Sequence, residues 1–171
     1  PLRLVGSEMC IRDSLHSAPT ALAIRQARNN GIELPIVAGS AMHQPSTAKL
    51  LKTDQLRGVC AETAASPISE SNSEIISFTT EYRNRFSKEP DAFALAQYDG
   101  MNMVIAALKS GAKSAIDVRN WLSVNTFKGL AMTYKSDGKG NMAHDATIVC
   151  YNGKTRTPKI IKRYINVDGV F

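Results

Sequence analysis

Few residues of this chain stand where side chains do covalent chemistry. His16, His43 and His144 are far apart, and none has a second ligand at metal-binding spacing. They read as loop histidines. No G-x-S-x-G elbow, Walker loop, G-x-G-x-x-G, H-E-x-x-H or C-x-x-C occurs, so no catalytic residue, metal or cofactor is assigned. Asp137-Gly138-Lys139-Gly140-Asn141 has the look of a calcium loop but lacks its alternating oxygen ligands and closing glutamate. It reads as a hairpin turn, where Gly and Asn accept positive φ. Cys60 and Cys150 each fall in an apolar strand candidate. Buried thiols are the simplest reading, with a disulfide open in an oxidising compartment. Two loops suit noncovalent binding. His16-Ser17-Ala18-Pro19 opens a helix, with Ser17 suited to cap it and backbone N–H groups that attract polar ligand atoms. Gly39-Ser40-Ala41-Met42-His43 follows a strand, where open α/β sheets bind ligands. A helix cap and a tight turn account for the same residues without a ligand.

The elements that would hold these loops follow from apolar spacing. Ala21, Ile24 and Ala27 recur at helical period until Asn29-Asn30-Gly31 stops them. Leu34 to Ala38 is a short buried strand, Pro45 to Leu51 a short helix, and Leu56 to Ala61 a second strand. Ala64 to Ser73, rich in Ser, Pro and Asn, reads as a crossover. Ile75, Phe78, Tyr82 and Phe86 then share one helix face. A second helix runs from about Asp91 to Ser110, ending at Gly111. A third starts at Ser114 and carries Ile116, Val118, Trp121 and Leu122. Strand-like segments follow at Leu130–Tyr134, Ala146–Tyr151 and Pro158–Ile165. The order predicts an α/β protein whose early units form a parallel sheet and whose terminal hairpins add antiparallel strands.

The chain has 171 residues, 43% hydrophobic and 21% charged, which fits a folded protein and excludes a fibrous or disordered one. No apolar run approaches the roughly 18–20 residues of a membrane span. Much of the +6 charge comes from Lys154, Arg156, Lys159, Lys162 and Arg163 near the C-terminus. Lysines guarding a strand edge explain that tail. Interleaved aromatics of a nucleic-acid binder are lacking apart from Tyr164 and Phe171, so no nucleic-acid partner is expected. The N-terminus is unusual. Leu4-Val5-Gly6-Ser7-Glu8-Met9-Cys10-Ile11-Arg12-Asp13 resembles the in-frame translation of a transposase sequencing adapter. Residues 1–14 are therefore set aside from fold reasoning as a non-native scar, as tags and fusion scars are.

Downstream motifs carry a family resemblance. Phe78, Tyr82, Phe86 and Pro90 are followed by Gln97-Tyr98-Asp99-Gly100 and Ala106-Ala107-Leu108-Lys109-Ser110-Gly111. Upstream stands Ile24-Arg25-Gln26-Ala27-Arg28 with Gly31, and downstream Phe127-Lys128-Gly129 with Asp137-Gly138-Lys139-Gly140. In this order the motifs resemble type I periplasmic binding proteins, specifically the branched-chain amino acid and amide receptors of ABC transporters. The resemblance implies a two-lobe Venus-flytrap of doubly wound α/β lobes, of which this chain is the C-terminal portion. Residues 15–64 and 147–171 would belong to the second lobe and 65–146 to the first. Ligand capture by hinge closure, an exported periplasmic location, docking on an ABC permease and a monomeric full-length state are implied with it. So are rivals on similar folds: a cytosolic amide or amino-acid sensor, or a fragment of an α/β enzyme.

The resemblance also nominates ligand residues. Ser17 stands where the leucine-isoleucine-valine type has a ligand-contacting tyrosine, and Ser40, beside Ala41, where it has a glutamate for the ligand's ammonium. Phe93 or Tyr98 is nearest to the aromatic that packs on ligand. A neutral serine lacks the charge-assisted bond an ammonium needs, so an amide, an aromatic acid or another small carboxylate joins amino acids as expected ligands. Tyr98-Asp99 reads equally as a ligand contact or as a helix and hinge support.

Overall fold

The computed structural model describes residues 11–167. The chain divides into two compact units, one running through Thr63 and taking in Ile148–Ile161, the other comprising Ala64–Thr147 and the segment from Lys162.

The first unit starts with a finding against expectation. Ile11–Asp13, part of the segment that resembles an adapter translation, forms strand β1, parallel to β2 (Ile36–Ala38). The reason is local: an outer strand edge presents unpaired N–H and C=O groups that any extended segment satisfies. Here Ile11 N–H donates to Pro35 O and Gly39 N–H to Asp13 O. Helix α1 (Ser17–Asn29) follows β1, with His16 at its N-cap and no side chain capping it. Ser17 is therefore not the cap. Its hydroxyl donates to Gln44 Oε1 at 2.7 Å. The short helix α2 (Pro45–Ala48) leads to β3 (Val59–Thr63), parallel to β2 with Ile36 opposite Val59 and Ala38 opposite Ala61. Alternation sends Val59, Ala61 and Thr63 inward and turns Cys60 and Glu62 to the other face.

The core of this unit is apolar and close-packed, with Ile24, Ile36, Met42, Leu56, Val59 and Val149 almost fully buried. Tyr151 lies in it, its N–H donating to Val59 O and its phenol to Met42 O at 3.2 Å. Cys60 and Cys150 form a disulfide, their Cα atoms 4.0 Å apart. Of the two readings open for these cysteines, the structure takes the bonded one.

In the second unit, helices start where short-range side chains satisfy their first N–H groups. Asn72 caps α3 (Ser73–Phe86), Asp91 caps α4 (Ala92–Lys109), and Ser114 with Asp117 makes a capping box on α5 (Ala115–Val124). Hydrogen bonds from Lys113 N–H and the Ser114 cap hold the Asp117 carboxyl below its usual range. Leu95 of α4 is fully buried with Ala65, Ala131 and Met132, and Phe78 packs against them. The expected strand at Leu130–Tyr134 is displaced. Its last two residues open strand β5 (Thr133–Ser136), which pairs antiparallel with β4 (Thr126–Lys128). Residues 129–132 form the connection between them, tied to α4 by Asp99. Strand β6 (Met142–Cys150) pairs with β5 through the Asp137–Asn141 turn, and β7 (Lys159–Val167) pairs with β6. In the turn, Asp137 accepts from Lys139 N–H, Asn141 N–H and the Asn141 amide, so its carboxylate closes the turn on itself. Its carboxyl is held below the ordinary value, chiefly by the Asn141 side chain.

Two phenols report on these cores. Burial pushes Tyr151 above its ordinary pKa of 10.0. Burial, then the Asp99 carboxylate, does the same to Tyr134. A raised phenol keeps its proton in the native state while the unfolded chain releases it. Stability from both tyrosines is thus complete below about pH 10 and declines as pH rises beyond it. An ultraviolet phenolate titration run beside circular dichroism is expected to show these two groups ionising together with unfolding.

Candidate functional site

In the first unit, a cavity of about 510 Å³ lies at the C-terminal ends of β1, β2 and β3, where α1 begins. Parallel strands direct their following loops to this end, which is why α/β sheets bind ligands there. The shortness of β2 puts the turn at Gly39 directly over the sheet, and Ser40 and Ala41 line the cavity. His16 lines it too. Ser17, turned toward Gln44, does not.

Glu62 also lines the cavity, and the sequence reading missed it. Its carboxylate Oε1 accepts from Ser40 N–H at 3.1 Å. The signal was present: with Ala38 opposite Ala61, the next residues, Gly39 and Glu62, must come side by side. Ending the strand at Ala61 concealed it. A Cβ on Gly39 would sit 3.9 Å from Glu62 Oε1, so the carboxylate runs alongside the turn at ordinary contact distance. Asp13 completes the rim. Its Oδ1 accepts from Leu15 N–H at 2.9 Å, while its Oδ2 is buried with no hydrogen-bond partner.

The remaining nominated residues lie in the second unit. Phe93, in the first turn of α4, is 52% exposed and lines none of the cavities described here. Tyr98 packs its ring on Phe78 at 5.1 Å and lines a cleft of about 740 Å³ with Phe78, Asn102, Lys109 and Phe127. A second hollow of about 470 Å³ is bounded by Phe78, Tyr82, Phe86 and Tyr98. The Tyr98-Asp99 pair splits by direction. Tyr98 faces outward, whereas Asp99 is 1% exposed and accepts from Leu130 N–H at 2.7 Å, Ala131 N–H at 2.8 Å and the Tyr134 phenol at 3.1 Å. Asp99 is an internal anchor for the β4–β5 connection.

Among the described residues, no group of three His, Cys, Asp or Glu is placed to hold a metal ion. Among them too, no helix is long and apolar enough to cross a membrane. What the site offers is a concave surface with backbone donors, hydroxyls, the carboxylates of Asp13 and Glu62 and the guanidinium of Arg12, suited to holding a small polar molecule.

The comparisons agree with this architecture. Among solved structures, the chain is similar to the isoleucine-bound branched-chain amino acid transporter substrate-binding protein LivJ of Streptococcus pneumoniae, with a TM-score of 0.77 and 22% identity over 92% of this chain and 46% of that one. It is similar to the leucine-binding protein LivK of Thermotoga maritima, with a TM-score of 0.76 and 21% identity over 94% and 45%. It is also similar to an ABC-transporter solute-binding protein of Rhodopseudomonas palustris in complex with 3,4-dihydroxybenzoic acid, with a TM-score of 0.76 and 15% identity over 94% and 46%. The chain thus spans less than half the length of these structures, and the likeness establishes a type I periplasmic binding protein fold. None of the curated proteins matches the chain. The family profile described as "Periplasmic binding protein" matches residues 14–156, and on that match the chain belongs to the periplasmic binding protein family.

Proposed function

We propose that this chain is the C-terminal part of a substrate-binding receptor of an ABC importer. The receptor captures a branched-chain amino acid, or a related small amide or carboxylate, between two lobes by hinge closure and then docks on its permease. The observation that carries this is the cavity at the ends of three parallel strands, lined by Ser40 and Ala41, in a chain of this family. Solved structures similar to it hold isoleucine in one case and 3,4-dihydroxybenzoic acid in another, which supports a ligand of this kind. In the proposed receptor, residues 15–64 and 147–171 belong to one lobe and 65–146 to the other, with Phe93 or Tyr98 contributing an aromatic contact from the latter. Ser17 supports its loop from behind through Gln44.

The Cys60–Cys150 disulfide supports a periplasmic location, because such bonds persist in oxidising compartments and are rare in the cytosol. Helix α4 supports a larger parent protein. Leu95 and Ala107 on one face are buried, while Phe93, Met101 and Leu108 on another are exposed. A helix apolar on both sides is normally covered on both.

The test is titration calorimetry on the parent protein, expressed from the complete gene, against amino acids, acetamide and benzoate. Binding of at least one ligand is expected, and Ala41→Trp, which fills the cavity, should abolish it. A parent protein that binds none of them ends the receptor reading.

A further inference from the structure

We infer that the end of the first unit remote from its cavity docks on an anionic phospholipid surface. The cavity lies at the C-terminal ends of β1, β2 and β3. At the opposite ends of these strands, three stretches of chain come together. Ile36 N–H, at the start of β2, donates to Gly58 O, just before β3. The Arg28 guanidinium, in the last turn of α1, donates to Ile32 O, Leu34 O and Arg57 O. The connection between β6 and β7 lies against them. A Cβ on Gly153 would stand 2.9 Å from Arg57 Cβ, and Arg156 donates to Leu51 O at 2.9 Å. Arg25 donates to the neighbouring Leu50 O.

Residues 25–35, 49–58 and 152–159 carry eight Lys and Arg against Glu33 and Asp54, an excess equal to the chain's entire formal charge of +6. The rest of the chain is balanced. Lys49, Lys52, Arg57 and Lys154 are exposed, and among the described residues no carboxylate pairs with them. Arg25, Arg28 and Arg156 bond to backbone carbonyls, which leaves their charge uncompensated. A soluble polyanion would need this charge alone. The lipid reading rests on what stands among the cations: Ile32, Leu34 and Leu50 are 40%, 41% and 46% exposed. Basic side chains gather at anionic headgroups, and apolar ones between them enter the acyl boundary. Seated by this end, the unit keeps its cavity on the side away from the bilayer.

Vesicle sedimentation of the parent protein tests this, with equimolar phosphatidylglycerol and phosphatidylcholine against phosphatidylcholine alone. The parent should bind the anionic vesicles at low salt and release them as salt rises, because exposed charges are screened. K49E/K52E/K154E should weaken that binding by about 10-fold or more while its thermal melt stays that of the parent. K49Q/K52Q/K154Q, which adds no acid, should fall between the two. Leu50→Ser should lower vesicle binding several-fold and leave retention on heparin as it is. The inference is overturned if the parent ignores anionic vesicles, binds neutral ones equally well, or loses nothing in the glutamate variant. Retention on heparin together with a Leu50→Ser variant that binds vesicles as the parent does would assign this end to a soluble polyanion, and also overturns it. The readout involves no small ligand, so the receptor reading stands or falls separately.

Discussion

Replacing Asp99 by alanine is expected to destabilise the chain by about 3–5 kcal/mol, the range for stranding buried donors of a charged hydrogen-bond centre. The carboxylate is 1% exposed and is shared by Leu130 N–H, Ala131 N–H and the Tyr134 phenol. Alanine removes all three acceptor contacts and leaves the two N–H groups without their carboxylate partner. Asp99→Asn keeps one oxygen but turns amide hydrogens toward backbone donors, so an intermediate loss is expected. Gly129→Ala reaches the same cradle from the other side. Its Cβ would stand 2.4 Å from Asp99 Oδ2 and 2.6 Å from Tyr134 Cε2, closer than packed atoms tolerate. The carboxylate or the connection must move, and a loss comparable to that of Asp99→Ala should follow. Urea unfolding monitored by circular dichroism on the three variants checks this. A midpoint within experimental error of the parent's for Asp99→Ala would show that the cradle does not hold the β4–β5 connection in place.

Loss of the Cys60–Cys150 disulfide should destabilise the chain by about 2–4 kcal/mol, because a cross-link closing so long a loop restricts the unfolded chain. The two cysteines are 90 positions apart, and they tie β3 to β6. Each strand lies close to a passage of the chain between the two units, at Thr63–Ala64 and at Thr147–Ile148. The bond therefore staples two sequence-distant segments within the first unit. Thermal melts with and without reductant, repeated on a Cys60→Ala, Cys150→Ala double variant, measure the effect. Reductant should lower the melting temperature of the parent and leave the double variant unaffected. Equal melting temperatures for oxidised and reduced parent would remove the disulfide from any account of stability.

Local determinants were legible. Helices α3, α4 and α5 lie close to the positions that apolar spacing assigns, and their caps act within three residues: Asn72 on Glu74 and Ile75, Asp91 on Ala94, Ser114 on Asp117. The Asp137–Asn141 turn was legible for the same reason, since its hydrogen bonds span two to four residues. Strand limits were not. Leu130–Tyr134 looked like one strand because Leu, Ala, Met and Tyr are apolar. Those residues are apolar because Met132 and Ala131 fill a core beneath a connection, which spacing alone does not distinguish from a ladder. Strand β1 is not legible in the character of its residues. An open parallel edge accepts whichever extended segment is tethered beside it, because backbone groups rather than side chains make the bonds.

The candidate site divides along the same line. The order of motifs along the chain, the helix starts and the loop Gly39-Ser40-Ala41 were written in neighbouring residues, and they were enough to indicate the family and one wall of a cavity. Tertiary structure alone decided that Cys60 meets Cys150, that Asp99 turns inward while Tyr98 faces out, and that Glu62 comes to rest on the Ser40 N–H. Each of these depends on strand register or on packing between segments more than twenty residues apart. A side-chain period of two makes such partners a consequence of alignment between strands, and a single sequence holds that alignment only through the cooperative burial of both.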